Sequence, residues 1–541
     1  MTAARAALCV ALLGIALGIF ARLDALGHKL LWQDEAFSLL RISGHTNAEL
    51  DALFDDRLHP AGDVFALQEV TAQRGVADAV RSISREEPQR GPLYYALARL
   101  WIGVAGNGTA QVRGFSALLG IAGIGIAFAL GRRAGGTLEG GALSAAFFAL
   151  APVQIRLAQQ VREYVLVADL TLLSAFLTLR AFEKPSAGRW FAFACCAVAG
   201  TYTNVEFAFV LAFEGAAVLA FAWRGARERR VARVSGCLAA GGLAAAAYAP
   251  WLFAISSAAG RGARGVSWAA SAYSLRSSLL KWTFNVGASF FDSEYAHHAY
   301  GIALLPALAL VAYALYRLAR GPGDGFVRAL ALALVASSIV PLTALDAVER
   351  SHYALVTRYA MSSWTGLEFA LALALAWQLR SPGAAGRRFA AGATALVVLL
   401  GASAYVLDRP YVEWWDNNEH LSESGVALAA DREPRAPLIA SANTSAYVLV
   451  LSRYLARDRA LLLVRDLPVR LPAPCAYLFL PSDAMRRRAL ALAGPRATLR
   501  NDSPPLDLTI PDLREHGEPQ VATANALWLL DAGGACPDAP G

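Results

Sequence analysis

Long apolar runs recur from the N-terminus to about residue 407, and they constrain the fold more than any other feature of the sequence. A helix that crosses a bilayer needs about 20 mostly apolar residues, with flanking residues filling out shorter runs. The runs that approach this length are 6–21, 114–131, 140–155, 164–179, 190–205, 207–223, 234–260, 299–316, 329–345, 359–378 and 389–407. They predict an α-helical polytopic membrane protein with about 11 transmembrane helices.

Composition supports this class and excludes others. Hydrophobic residues make up 56% of the 541 residues, charged residues only 17%, and the mean hydropathy is +0.41. An ordinary soluble domain carries about 25% charged residues. The formal net charge is +7, but the basic residues lie in small groups between the apolar runs. We therefore expect the lipid bilayer, and no nucleic acid, as a partner.

The basic groups also predict the topology. Residues 92–105 form a short apolar segment that carries Arg99, and we expect it to lie along the membrane surface. The first run resembles a signal peptide but lacks a small-residue cleavage site before Arg22, so we expect an uncleaved span. With a cytoplasmic N-terminus, the groups that fall inside are Arg132 and Arg133; Arg180, Lys184 and Arg189; Arg224, Arg227, Arg229, Arg230 and Arg233; Arg317, Arg320 and Arg328; and Arg380, Arg387 and Arg388. This arrangement satisfies the positive-inside rule, with the N-terminus in the cytoplasm and the C-terminus outside.

The same topology predicts two domains. Residues 1–408 form the transmembrane domain, in which residues 22–112 are a long first outer loop, and residues 409–541 form a small extracytoplasmic α/β domain. Within the tail, residues 437–441, 460–465, 475–481 and 526–531 are predicted strands, and 444–456 and 483–493 are predicted helices. Its two cysteines, Cys475 and Cys536, either form an outer-face disulfide or remain unpaired.

The first outer loop contains the most informative motif, LWQDEAFS at residues 31–38. Two adjacent carboxylates beside a bilayer are costly unless they are solvated or paired. Asp34 and Glu35 therefore either mark the solvated end of a helix or carry out chemistry. A carboxylate at the membrane surface can accept the proton of a substrate hydroxyl.

Four motifs together resemble the GT-C superfamily of membrane glycosyltransferases. They are WQDEA at 32–36 after the first run, RGPLYY at 90–95, Arg113 with Ser116 at the start of the second run, and QQVREY at 159–164. The similarity covers roughly residues 1–420, and bacterial enzymes similar to protein O-mannosyltransferases and to lipid A aminoarabinose and galacturonic acid transferases look closest. Two positions depart from the family pattern, namely Gly91, where a second proline is common, and Asn204, where a histidine is common.

The resemblance implies a sugar transferase that uses a polyprenyl-phosphate-linked sugar donor and an envelope acceptor, which is a lipid, a glycan or a protein. It places the catalytic base on Asp34, with Glu35 orienting Asp34 or a substrate hydroxyl, or capping a helix. Arg90 would bind the carrier phosphate, unless it is an ordinary interfacial arginine. The other residues expected to bind substrate or carrier phosphate are Tyr94, Arg162, Glu163, Tyr164 and Arg358, although Arg162 and Glu163 could equally form a structural salt bridge.

No cofactor follows with certainty. Asp292, Glu294, His297 and His298 have a metal-like composition but no fixed ligand spacing, so a divalent metal ion stays open. Asp169, Glu214 and Glu368 lie within apolar runs, and we expect them to be paired inside the helix bundle. Two other functions remain open. A membrane transporter or flippase of lipid-linked or envelope substrates would typically show internal repeats, which the sequence lacks. A scaffold would bind a partner through the outer domain.

Overall fold

The computed structural model describes residues 2–224, 226–265, 275–292, 297–321, 323–410, 423–503, 526–534 and 536. Its helices up to residue 222 are α1 (Ala3–Leu23), α2 (Gln33–Ile42), α3 (Asn47–Asp51), α4 (Ala61–Ala66), α5 (Val76–Glu86), α6 (Pro92–Ala105), α7 (Thr109–Gly135), α8 (Leu138–Leu150), α9 (Pro152–Ala158), α10 (Tyr164–Glu183), α11 (Ala187–Thr201) and α12 (Phe207–Ala222). The later helices are α13 (Arg227–Gly265), α14 (Leu275–Ala288), α15 (His297–Arg320), α16 (Gly325–Ala336), α17 (Ile339–Glu349), α18 (Met361–Leu379), α19 (Ala384–Asp408), α20 (Glu423–Ala430), α21 (Ser445–Leu451) and α22 (Asp483–Ala493). The strands are β1 (Arg57–Pro60), β2 (Leu438–Ser441), β3 (Ala460–Val464), β4 (Cys475–Phe479), β5 (Ala497–Asn501) and β6 (Leu527–Ala532).

Each predicted apolar run falls on helical segments, which confirms the predicted fold class of an integral membrane protein with a small sheet domain. Seven helical stretches among the described residues are long and apolar enough to cross a membrane. The pair α8 and α9, which is bent by 64°, would make an eighth. Helix α6 has 14 residues and is not among the seven. The count of 11 crossings stays a prediction.

Contacts between Cα atoms divide the chain into two units. The helical unit comprises Met1–Leu26, Ile83–Leu97 and Ala110–Pro410, and the sheet unit comprises Gly27–Ser82, Ala98–Thr109 and Tyr411–Gly541. The last of these breaks, after Pro410, lies close to the predicted domain boundary at 408/409. Most of residues 22–112, predicted as the first outer loop of the transmembrane domain, fall in the sheet unit. The domain boundaries stay a prediction.

In the helical unit, α1 packs against α8 through a small residue and a buried arginine. A Cβ on Gly18 would lie 2.5 Å from the carbonyl oxygen of Ala149, so only glycine allows this approach of the two backbones. One turn later, Arg22 is fully buried and donates hydrogen bonds to the carbonyls of Phe148 (3.1 Å) and Ala149 (2.5 Å). These carbonyls lie in the last turn of α8, where acceptors lack partners within the helix. Arg22 therefore caps the end of α8.

Two of the three carboxyl groups that were expected to be paired inside the bundle have hydrogen-bond partners, whereas Oδ1 of the third, Asp169, is buried without one among the described residues. Glu214 accepts hydrogen bonds from the hydroxyls of Ser174 (2.8 Å) and Thr178 (2.9 Å). Glu368 accepts from the side-chain amide of Gln154 at 3.2 Å. Because buried polar groups are costly without partners, these bonds lock α12 to α10 and α18 to α9.

The sheet unit is built on one six-stranded sheet with the order β1-β3-β2-β4-β6-β5. Strand β2 pairs in parallel with β3 and β4, and the outer strands pair antiparallel. The core on one face is closed by α22 and contains Ile439, Leu462, Leu478 and Leu530. The four predicted strands and the helix Asp483–Ala493 are confirmed, whereas the predicted helix 444–456 is shorter and ends at Leu451.

Two strands were not predicted, and they lie at the two edges of the sheet. Strand β1 comes from the first outer loop and strand β5 from the tail, and both have largely exposed residues. The predicted disulfide between Cys475 and Cys536 is present, with Cα atoms 5.1 Å apart. It ties the start of β4 to the segment that follows β6.

Candidate active site

The acidic motif begins a helix of the sheet unit. Trp32 precedes the first turn of α2, which contains Asp34 and Glu35. The unpaired N–H groups at a helix N-terminus favour acidic residues in the first turn, which is where both side chains lie. Glu35 is fully buried, which does not fit the solvated end of a helix, whereas Asp34 is partly exposed. Of the two, Asp34 is therefore the carboxylate that a substrate can reach.

The other end of α2 is held by Arg99, which lies in the part of α6 that belongs to the sheet unit. Its side chain is buried, and it donates a hydrogen bond to the carbonyl of Ile42 at 2.8 Å, the last residue of α2. It also donates to the carbonyls of Thr71 (3.1 Å) and Arg74. A cation that pairs with the last carbonyls of a helix stabilises its C-terminal end. Arg99 thus caps α2.

A second group of predicted residues lies in the helical unit, beginning with the extended segment around Gly91. The Gly91 amide donates to the carbonyl of Thr203 (3.0 Å), and the Leu93 amide donates to the carbonyl of Tyr202 (2.9 Å). A Cβ at Gly91 would lie 1.9 Å from the carbonyl oxygen of Tyr202. The departure from the family's second proline therefore has a structural cause, because proline has no N–H to donate to Thr203 and its ring would collide with this backbone.

This pairing places Arg90 in a largely buried arginine–carboxylate cluster, which we define as Glu87, Arg90, Tyr95, Arg162 and Glu163. The side chains of Arg90 and Glu87 are 14% and 23% exposed, and the other three residues are buried. The Arg90 Nε atom lies 2.9 Å from Glu87 Oε2 and 3.9 Å from Glu163 Oε1. The Arg162 Nε atom lies 3.9 Å from Glu163 Oε2, which also accepts a hydrogen bond from the Tyr95 hydroxyl at 3.1 Å. Glu163 is thus the carboxylate that both arginines and the tyrosine share.

The charges of the cluster follow from its burial. Burial lowers the pKa of Arg90, but the carboxylates of Glu87 and Glu163 outweigh this effect and hold the pKa above its ordinary value. Burial and then Glu163 raise the pKa of Tyr95, so its hydroxyl stays neutral and donates. Glu206, just before α12, has its pKa raised to about 8 by burial and by Glu163, against the opposing effect of Arg90. Glu206 is therefore protonated at neutral pH.

One atom of the cluster indicates where a ligand would bind. The Nη1 atom of Arg90 is buried and has no hydrogen-bond partner among the described residues, and the same holds for Glu163 Oε1. A buried polar group without a partner costs about 1–3 kcal/mol, and more when it is charged. An anionic oxygen that reaches Arg90 would satisfy its free N–H group. Arginine pairs especially well with phosphate, through two parallel hydrogen bonds.

The structure brings together four of the predicted residues, Arg90, Arg162, Glu163 and Tyr164. The Arg162 guanidinium also lies over the ring of Tyr164, at 5.5 Å from the centroid. The hydroxyl of Tyr94 lies 2.6 Å from Ser116 Oγ of α7. Tyr95 is the tyrosine that contacts Glu163, although the sequence alone offers no reason to choose it over Tyr94.

The remaining predicted residues are Arg358, Asp34 and Glu35. The Arg358 guanidinium lies over the ring of the adjacent Tyr359, at 5.4 Å from the centroid. Asp34 and Glu35 belong to the sheet unit, whereas the arginine–carboxylate cluster belongs to the helical unit. Glu206, near the outer end of its apolar run, is the intramembrane-type carboxylate expected from the sequence to reach substrate. Glu87 was not assigned to the site, although it is three residues from Arg90 and so within reach of an ion pair.

No metal site is found among the residues that the structure describes, in which no three His, Cys, Asp or Glu side chains are grouped to hold an ion. The predicted metal-like set is covered only in part. Glu294 and the side chains of His297 and His298 lie outside the described residues, whereas Asp292 is described and buried. A divalent ion at this loop stays a prediction.

Comparison with known proteins bears on the helical unit. Residues 88–253 match the family model of dolichyl-phosphate-mannose-protein mannosyltransferase. The matched segment contains Arg90, Tyr95, Arg162 and Glu163. The resemblance to the GT-C superfamily is thereby confirmed. The segment does not reach Asp34, and no curated protein is significantly similar to this chain.

Two solved proteins align with most of this chain at low identity. ArnT from Cupriavidus metallidurans in the apo state is 13% identical with a TM-score of 0.49, and the alignment covers 82% of this chain and 84% of ArnT. The same protein bound to undecaprenyl phosphate gives 15% identity, the same coverage and a TM-score of 0.47. The apo oligosaccharyltransferase of Archaeoglobus fulgidus is 11% identical with a TM-score of 0.44. The alignment covers 84% of this chain but only 64% of the archaeal enzyme. Similarity at this level carries no information about substrates.

Proposed function

We propose that this protein is a glycosyltransferase that moves a sugar from a polyprenyl-phosphate carrier to a cell-envelope acceptor on the extracytoplasmic face of a bacterial inner membrane. The matching family, whose description names a lipid-phosphate-linked sugar, supports this donor class. The observation that carries the proposal is the buried Nη1 atom of Arg90, which lacks a hydrogen-bond partner among the described residues. A carrier phosphate would provide that partner.

The reaction is a single displacement at the anomeric carbon of the donor sugar. The acceptor hydroxyl gives its proton to Asp34 and its oxygen forms the new bond to the anomeric carbon. The bond from that carbon to the phosphate oxygen breaks, and the polyprenyl phosphate leaves with the bonding electron pair. Proton transfer to a positioned base typically contributes about 100- to 10,000-fold in rate.

The departing phosphate gains negative charge as the bond breaks, and Arg90 with Arg162 would stabilise it. Fixed cations in a site that excludes water stabilise such charge without reorganising during the reaction. Glu87 and Glu163 hold the guanidinium groups in place through their ion pairs. Because Glu206 is protonated at neutral pH, it adds no negative charge next to the phosphate.

Binding of undecaprenyl phosphate to the purified protein tests the role of Arg90. The variant Arg90→Gln removes the charge-assisted hydrogen bonds, and we expect the affinity to fall by about 10- to 100-fold. Arg133→Gln is the matched control, because Arg133 forms a partly exposed ion pair with Glu183 at the end of α7. Its affinity should equal that of the wild type. An unchanged affinity in Arg90→Gln, or an equal loss in both variants, would refute the assignment.

Mass spectrometry of lipids that co-purify with the wild type tests the donor class. We expect a polyprenyl phosphate or a polyprenyl-phospho-sugar, and the mass of the sugar would name the donor. The retained amount should fall in Arg90→Gln and not in Arg133→Gln. Retention of only ordinary phospholipids in all three proteins would count against a polyprenyl-phosphate carrier.

A further inference from the structure

The sheet unit draws two distant parts of the chain into one backbone hydrogen-bond network. Strand β1, from the first outer loop, pairs antiparallel with β3 of the tail over four residues, from Arg57 opposite Leu463 to Pro60 opposite Ala460. The pairing continues beyond the strand, because the Ala61 amide donates to the carbonyl of Arg459 at 2.8 Å. The tail is therefore not a separate module, since the outer loop supplies one edge of its sheet.

Side chains extend this connection from β1 towards the acidic motif. Gln68, which is buried, donates from Nε2 to the carbonyl of Leu449 (2.7 Å) and to the hydroxyl of Ser452 (3.2 Å). The Arg453 guanidinium lies 5.1 Å from the centroid of the Phe65 ring and donates to the carbonyl of Asn107 at 3.2 Å. The segment that ends α21 thus contacts the loop at several points.

The last of these contacts lies next to Asp34. The hydroxyl oxygen of Tyr454 accepts a hydrogen bond from the backbone amide of Leu31 at 2.9 Å. Leu31 is fully buried, two residues before α2 begins and three before Asp34. The helix itself packs against α21. With Arg99 on the carbonyl of Ile42, α2 is fixed at both ends inside one unit.

We propose that Tyr454 is a positioning residue for Asp34, so that the extracytoplasmic domain takes part in catalysis by fixing the helix that carries the base. This inference rests on the proposed function of Asp34. A displacement of about 1 Å in a catalytic group can cost up to about 100-fold in rate, so a contact three residues away is close enough to matter. Tyr454 itself does not touch substrate in this account.

The test compares the full-length protein with its Tyr454→Phe variant, which lacks only the hydroxyl group. We expect kcat for sugar transfer to fall by about 10- to 100-fold while KM for the polyprenyl-phospho-sugar changes less than about twofold, because donor binding relies on the helical unit. The matched control is Tyr477→Phe, which removes a buried hydroxyl that donates to the carbonyl of Ala429 within the same unit. Its kcat should equal that of the wild type.

Hydrogen exchange gives a readout that does not depend on activity. In Tyr454→Phe the amides of residues 27–42 should exchange faster than in the wild type, whereas in Tyr477→Phe they should not. Unchanged kcat and unchanged exchange in Tyr454→Phe would overturn the inference, as would equal losses in both variants, which indicate general destabilisation.

Asp34→Asn in the same assay separates this inference from the function on which it rests. If Asp34→Asn is inactive and Tyr454→Phe is fully active, the positioning role alone fails. If Asp34→Asn transfers sugar at the wild-type rate, the proposed function fails and the positioning role fails with it.

Discussion

The hydroxyl of Tyr95 donates a hydrogen bond to Glu163 across 3.1 Å, and both side chains are buried in the helical unit. The bond occupies the same carboxylate oxygen that faces Arg162. Because the Tyr95 hydroxyl donates to Oε2 of Glu163, this carboxylate attracts the two arginines less strongly. As a result, the Nη1 atom of Arg90 remains available to a ligand.

Removing this hydroxyl should weaken phosphate binding. In Tyr95→Phe, Glu163 draws Arg90 and Arg162 more strongly, so we expect the affinity for undecaprenyl phosphate to fall by about 3- to 10-fold. Tyr94→Phe is the adjacent control, because its hydroxyl lies beside Ser116 instead. Isothermal titration of both variants measures the difference, and a larger loss in Tyr94→Phe would contradict this role of Tyr95.

The sequence alone does not predict which of Tyr94 and Tyr95 contacts the cluster. Successive residues of a helix point about 100° apart, so only packing decides which of two adjacent tyrosines faces the cluster. By contrast, Arg162 and Glu163 are neighbours in sequence, and their pairing could be predicted. The apolar runs likewise predicted the membrane helices, because burial in lipid leaves few other conformations for such segments.

The strand β1 could not be predicted for a different reason. Its four residues are mostly exposed and show no apolar alternation, and their partners in β3 lie about 400 positions away along the chain. The alternation of a strand indicates a buried face, which an exposed edge strand lacks. Because this alternation is missing, the sequence does not indicate that the first outer loop contributes a strand to the sheet.

A substitution at Gly91 should disrupt the segment that carries Arg90. A Cβ there would lie 1.9 Å from the Tyr202 carbonyl oxygen, so we expect Gly91→Ala to lower the free energy of unfolding by about 3 kcal/mol. Gly125→Ala is the control, because no atom lies within 4 Å of a Cβ at that position of α7. Thermal unfolding in detergent should show no loss for Gly125→Ala, and equal behaviour of the two variants would contradict the close approach at Gly91.

The raised pKa of Glu206 predicts a pH dependence of binding. Above about pH 8 the carboxyl loses its proton and adds a negative charge near Glu163 and Arg90. The affinity for undecaprenyl phosphate should therefore fall as the pH rises through about 8. In Glu206→Gln this decrease should be absent, and an identical pH profile for wild type and variant would count against it.

The raised pKa of Glu206 also determines in which direction the stability of the protein changes with pH. The carboxyl of Glu206 has an ordinary pKa of 4.5, which is raised in the folded protein, so its contribution is fully present below pH 4.5. The contribution is lost as the pH rises towards about 8, because the folded protein must then either hold the proton or bury a charge. Chemical denaturation at several pH values should show a shallower decline for Glu206→Gln than for the wild type.

The assignment of Asp34 as the base is the central claim, and one comparison of rates tests it. Sugar transfer from polyprenyl-phospho-sugars extracted from the source membranes is followed by mass spectrometry of the released polyprenyl phosphate, for the wild type and for Asp34→Asn. We predict that Asp34→Asn lowers the rate by about 100- to 10,000-fold and leaves the affinity for undecaprenyl phosphate unchanged. Transfer by Asp34→Asn at the wild-type rate would contradict the account.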